Sequence, residues 1–234
     1  MNRSMIIVSM AMAAGVALAQ TMPRLAQGKT PVLEMSFGIG VMGLDEKRTG
    51  LDENGLGCNF GMRLGSDKVP VGVEGRMYAA SFDLDDDEHD DDKGERFRRY
   101  DREYEIAGGD LSVLVNIDRS GPINPYIGAG VFFESVSYEV YEDHGHHRHQ
   151  HTEWDDDGAT YIVRAGLDLR SDALYGRFDA GYIGEVYDSD DGGQFLLSGD
   201  IGIYIIDILR IDVFGHYFTE YKSYYAGIGV TLAM

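Results

Sequence analysis

From Thr30 onward, apolar and polar residues alternate with a period of two rather than the 3.6 of an amphipathic helix. Ten segments carry this alternation, at about 31–42, 56–66, 69–82, 103–117, 125–139, 159–171, 173–186, 194–206, 208–219 and 222–234. In the first, Leu33, Met35, Phe37, Ile39 and Val41 take one set of positions. In the last, Tyr224, Ala226, Ile228, Val230, Leu232 and Met234 do so. The pattern predicts ten β-strands, each with one oily face. The opposite positions collect fifteen charges: Glu34, Arg63, Glu74, Arg76, Asp110, Glu134, Arg164, Asp168, Arg170, Arg177, Asp179, Glu185, Asp200, Arg210 and Asp212.

Alternation has two solutions, because a soluble ligand-binding barrel or sandwich also alternates, with its apolar face turned inward. Three details favour the inverted arrangement, apolar face outward against lipid. The charged face is interleaved with Gly38, Gly40, Gly57, Gly61, Gly65, Gly128, Gly130, Gly166 and Gly202, which would make room for long side chains inside a closed barrel. Its cations are all Arg and never Lys, as expected where carboxylates need bidentate partners away from water. The segments run to ~11–15 residues, longer than the usual ~5–6 of a globular sheet and enough to cross a hydrocarbon layer when tilted. In lipid every backbone donor must be paired, so such a sheet closes on itself. The expected fold is all-β, a closed up-and-down antiparallel transmembrane barrel of about ten strands, with eight as the alternative count.

The chain has 234 residues with 20 Lys+Arg against 40 Asp+Glu, a net charge of −20. That acidity argues against nucleic-acid binding, since phosphates would be repelled. The single cysteine, Cys58, excludes a disulfide framework and a four-thiolate zinc site. Arg3 precedes an uncharged apolar run from Met5 to Ala19 that ends in Ala17-Leu18-Ala19, the pattern of a secretory signal peptide. The expected organisation is a signal peptide at 1–19, a flexible segment at 20–30 and one barrel domain at 31–234. No later stretch reaches ~18 consecutive apolar residues, so any membrane span is built from strands.

Connections alternate in length. Those at Ser66–Lys68, Asp118–Asn124, Ser171–Asp172 and Asp207 are short, those at about 43–55, 83–102, 140–158 and 187–193 longer, and the last, near Thr219–Tyr221, short again. Short turns on one rim and longer loops on the other is the layout of outer-membrane barrels, with the long side outward. Segments 83–103 and 138–158 each net −6, 187–193 nets −3 and 43–55 nets −2, so −17 of the −20 falls on one rim.

At this point the chain resembles the small outer-membrane β-barrel proteins of Gram-negative bacteria, the OmpA-like and Omp25-like group. Pro125-Tyr126-Ile127-Gly128-Ala129-Gly130-Val131 looks like the PYxGxG strand start common there. Tyr224 to Met234 looks like the terminal assembly signal of such barrels, with Met234 in place of the usual Phe. The resemblance implies residence in the outer membrane, with outer-membrane lipid and, through the last strand, the assembly machinery as partners. A monomer is expected, in a structural or cell-surface interaction role.

The sharpest local chemistry is His144, His146, His147, His149 and His151, five imidazoles within eight residues. Neutral imidazoles at that density can bind Zn, Ni or Cu ions, but the spacing matches no closed zinc motif, and an ordinary polar loop is the competing reading. Asp83, Asp85 and Asp87 begin like a calcium loop, yet Glu88 stands where the turn glycine belongs and Gly94 where the bidentate Glu belongs, which excludes an EF-hand. Weak divalent-cation binding by Asp85 to Asp92 is the remaining expectation, and no resident cofactor is expected. Arg96, Arg98, Arg99 and Arg102 would pair with those acids. No catalytic residues are expected: His216 and Asp212 share an inner face, which predicts a lumenal hydrogen bond rather than catalysis. The inward charges predict a salt-bridge network filling the lumen, with a narrow pore for small solutes as the alternative. Tyr78, Tyr161, Tyr182, Tyr217 and Tyr224 are candidates for an interfacial girdle.

Overall fold

The computed structural model describes residues 33–44, 53–66, 69–85, 99–117, 122–143, 148–171, 173–186, 192–219 and 222–234. The predicted signal peptide and lead-in lie outside them. Ten strands run in chain order: β1 (Leu33–Leu44), β2 (Glu53–Leu64), β3 (Val71–Asp85), β4 (Arg99–Asn116), β5 (Ile123–Asp143), β6 (Arg148–Arg170), β7 (Leu174–Ile183), β8 (Gln194–Ile206), β9 (Leu209–Phe218) and β10 (Ser223–Ala233). Each pairs antiparallel with its neighbours in sequence, and β1 closes the barrel on β10 from Glu34↔Ala233 to Gly43↔Tyr224. Leu33 and Met234 exchange both backbone hydrogen bonds at 2.9 and 2.8 Å, which seals the seam.

The oily faces point outward. Val113 is 50% exposed and Ile203 55%, whereas Arg164 is 4% exposed. That distribution removes the soluble alternative, in which the apolar face would line a hollow. On β4 the outward apolar run extends from Ala107 to Ile117, and Glu105 and Glu103 follow above it. On β6 it extends from Leu169 to Ala159, with Asp157 and Asp155 above. Leu33 and Met35 are the exceptions at the lower rim, buried in a cluster with Met234. Tyr161, Tyr182 and Phe195 contact ring to ring at 5.4 to 6.2 Å between centroids, and Tyr217 pairs with Tyr224 across β9 and β10. They form an aromatic arc at the long-loop rim, as at a membrane–water boundary. Tyr78 does not belong to it: it points inward and donates to Glu134 at 2.7 Å.

Three strands are longer than the alternation predicted. β4, β5 and β6 have 18, 21 and 23 residues, and β5 and β6 stay paired up to Asp143↔Arg148. Most of the expected acidic loop at 140–158 is therefore a hairpin, and the loop at 83–102 is shortened at both ends. The physical reason is that a ladder needs only backbone partners once it has left the lipid. Acidic side chains on both faces are then tolerated by water.

Candidate functional site

The lumen is where buried chemistry concentrates, and two different materials fill it. Toward the short-turn rim lies an ionic network with Glu74 at its centre. Its carboxylate accepts from Arg177 at 2.5 and 3.0 Å and from Arg164 at 3.1 Å, with Arg76 at 3.5 Å and Arg63 at 3.9 Å. Arg76 donates to Asp110 at 2.9 Å, and Arg164 pairs with the other oxygen of the same carboxylate. Arg63 reaches Asp168 at 2.7 Å, and Arg210 reaches Asp212 at 2.5 Å and Glu34 at 3.5 Å. Strands β1 to β4 and β6, β7 and β9 thereby meet across the barrel. Phenol groups complete it: Arg177 Nε donates to Tyr126 Oη at 2.8 Å, and the Arg210 guanidinium lies 3.5 Å from the centroid of the Tyr175 ring.

Glycine makes this density possible at two places. A Cβ on Gly202 would collide with the Asp212 carboxylate and lie 2.7 Å from Arg210 Cδ; one on Gly166 would lie 2.6 Å from Tyr126 Oη and 2.7 Å from Asp179 Cβ. Residues lacking a side chain on the inward face thus leave space for their cross-strand neighbours' long ones.

Toward the long-loop rim the inward face is mostly apolar, with one buried carboxylate, Glu134, bound by the Tyr78 hydroxyl. One cluster joins Met42, Leu44, Ala80, Phe82, Tyr104, Ile106, Val136, Phe214 and Tyr225, and a second joins Phe132, Ile162, Ile183, Leu196 and Phe218. Between the two materials lies a cavity of about 110 Å³, bordered by Arg76, Asp200, Asp212, His216, Phe132 and Phe218 among others.

Of the fifteen charges predicted to face inward, fourteen do so. Glu185 is exposed just beyond the end of β7, because the strand stops at Ile183. The expected Asp212–His216 bond is absent. Asp212 accepts from Arg210 and from Thr231 at 2.5 Å, while His216 stacks on Tyr225 with centroids 6.3 Å apart and leans on Phe214 at 5.9 Å. Tyr225 and Phe214 project from directly paired and neighbouring positions, so ring contact is nearer at hand than the carboxylate. His144, His146 and His147 lie outside the described residues. The backbone of β6 carries His149, opposite Glu142, and His151, at the irregularity between Val140 and Tyr141. Among the described residues no group of three or more His, Cys, Asp or Glu is placed to hold a metal ion. Asp86 to Asp92 and Arg96 to Arg98 are likewise outside the described residues. The apolar clusters went unpredicted. Their signal is a run of apolar residues on both faces, as in Val131-Phe132-Phe133, Tyr161-Ile162-Val163 and Phe195-Leu196-Leu197.

The closed barrel, outward apolar belt and aromatic arc define a fold class, that of the outer-membrane β-barrels. The chain is similar in fold to the outer-membrane protease OmpT from Escherichia coli, with 8% identity, 90% of this chain and 99% of that one covered, and a TM-score of 0.56. Two further solved structures are the translocator domain of the autotransporter NalP from Neisseria meningitidis, with 11% identity, 97% of each chain and a TM-score of 0.48, and Ail from Yersinia pestis in complex with sucrose octasulfate, with 12% identity, 87% and 99% coverage and a TM-score of 0.44. No protein-family model and no curated protein matches the chain.

Proposed function

We propose that this outer-membrane barrel is a closed, non-enzymatic scaffold that carries its long-strand rim at the cell surface, rather than a pore or a hydrolase. The observation that carries the reading is the two-part filling of the lumen. Ion pairs tie opposite walls together in the lower half, aromatic and aliphatic side chains pack the upper half, and the cavity between them has room for only a handful of waters. Ten strands enclose little more than their own side chains. The non-enzymatic reading is supported by His216, whose ring is held between Phe214 and Tyr225 rather than oriented by a carboxylate. A general base needs such an orienting partner. Monomeric behaviour, contact with outer-membrane lipid and delivery through β10 to the assembly machinery belong to the same proposal, as does loose divalent-cation binding by the acidic rim and His144–His151.

The test is conductance. Reconstituted in planar bilayers, the protein should give no stable current steps. Steady single-channel steps from the unaltered protein would overturn the closed-lumen reading and favour the small-solute pore.

A further inference from the structure

Above the lipid belt the barrel is lopsided. β6 pairs with β5 along its whole length, but with β7 only from Arg170↔Tyr175 to Ile162↔Ile183. The last bond on that side is donated by Gly184 N to Tyr161 O at 2.9 Å. In an antiparallel ladder each residue sends its N–H and C=O to the same neighbour, and the direction alternates along the strand. The Tyr161 carbonyl therefore fixes the direction for the others. Ala159, Asp157 and Asp155 also direct their N–H and C=O away from β5. Val186 lies beside Gly158, and among the described residues no strand pairs with β6 beyond that point. Among the described residues β6 thus continues upward as an edge.

An exposed edge of this kind is a template for another strand. Its chemistry selects the occupant. Asp155 and Asp157 are exposed on the outer face and Asp156 sits on the inner one, so an incoming strand meets carboxylates on both sides. Glu103 and Glu105 of β4 share the outer face with them through Ser137, the partner of both Glu105 and Asp155. A second copy pairing edge to edge would set Asp155–Asp157 against themselves, and like charges directly opposite are destabilising.

We infer that the edge of β6 from Glu153 to Asp157 is a docking site for an extended, lysine- or arginine-rich segment of another protein, which adds a strand to the β3–β6 sheet. This rests on the surface-scaffold reading for its biological setting, but its test does not depend on whether the lumen conducts.

The probe is a fluorescent ten-residue peptide of alternating lysine and valine, titrated onto the full-length protein in detergent micelles and followed by anisotropy. Its glutamate–valine counterpart should not bind. Asp155→Pro removes an edge N–H while leaving the bonds to β5 in place, because position 155 faces away from β5. It should weaken the lysine peptide about tenfold or more, whereas Asp155→Asn, which loses charge alone, should weaken it about two- to threefold. Retained heat-modifiable gel mobility checks that the barrel is folded. If Asp155→Pro fails to fold, a lysine peptide N-methylated along one edge should fail to bind the unaltered protein. Absence of lysine-peptide binding, equal binding of the glutamate peptide, indifference to both the proline and the N-methyl groups, or dimers through β6 in sedimentation would each overturn the proposal.

Discussion

The two halves of the lumen do the same job with opposite chemistry. In the lower half, walls are joined by buried ion pairs such as Glu74 with Arg177 and Asp168 with Arg63. In the upper half, Phe132, Ile162, Leu196 and Phe218 join them by shape alone. The difference is one of tolerance. Apolar packing degrades gradually as atoms are removed, whereas an ionic network fails when one member leaves the others buried and unbalanced. Wherever both materials support one barrel, substitutions of equal size should have unequal effects.

The largest effect is expected at Glu74, which faces four guanidinium groups. Glu74→Leu should destabilise the barrel by about 3–5 kcal/mol, because Arg164 and Arg177 stay buried without the carboxylate that bridges them. The near-isosteric Glu74→Gln should recover little of that loss. The measurement is the urea midpoint of the gel-mobility transition in micelles. An unchanged midpoint for Glu74→Leu would remove the network from the account of stability.

Phe132 sharpens the contrast. Phe132→Ala should cost about 3 kcal/mol, the lower part of the range for a buried phenylalanine, since the adjoining cavity lets neighbours and water relax into the space. Phe132→Leu should cost under about 1.5 kcal/mol. A conservative change is thus mild in the upper half and severe in the lower. If Glu74→Gln and Phe132→Leu moved the urea midpoint equally, the two halves would not differ in kind.

Legibility followed the same division. The ionic half was readable because charge on an otherwise alternating strand has to face inward in lipid: Arg63, Glu74, Arg164 and Asp168 stood out as exceptions to an apolar pattern. The apolar half was harder to read, because in a run such as Val131-Phe132-Phe133 period two cannot say which of two oily faces is inside. Strand count followed from the alternation, strand ends did not. Arg99 to Arg102, Val140 to Asp143 and Arg148 to Gly158 lie in segments whose acidity reads as loop. Only the backbone pairing from Asp85↔Asp101 to Asp143↔Arg148 shows that the sheet continues there. Pairings such as Glu74 with Arg177 are separated by 103 residues and follow from barrel closure, which no local pattern encodes.

The smallest effect is expected outside the lipid, where carboxylates crowd one another at the rim. Burial, and then the Glu103 and Glu139 carboxylates, push Glu105 above the usual carboxylate range. A carboxyl whose folded pKa is raised binds its proton more tightly in the folded than in the unfolded chain. Its contribution to stability is therefore present below the ordinary Glu value and is lost as pH rises through the raised one. Glu105→Gln should accordingly stabilise the barrel at neutral pH and leave it unchanged at about pH 4. Because Glu105 is only partly buried and water screens its neighbours, the gain should be no more than about 0.5 kcal/mol. Urea midpoints of the two proteins compared from acid to neutral pH would show curves that separate only above the ordinary carboxylate range. A constant offset at every pH would mean that the substitution acts through packing, and that mutual repulsion of the rim carboxylates contributes nothing to how β4 and β5 hold together above the membrane.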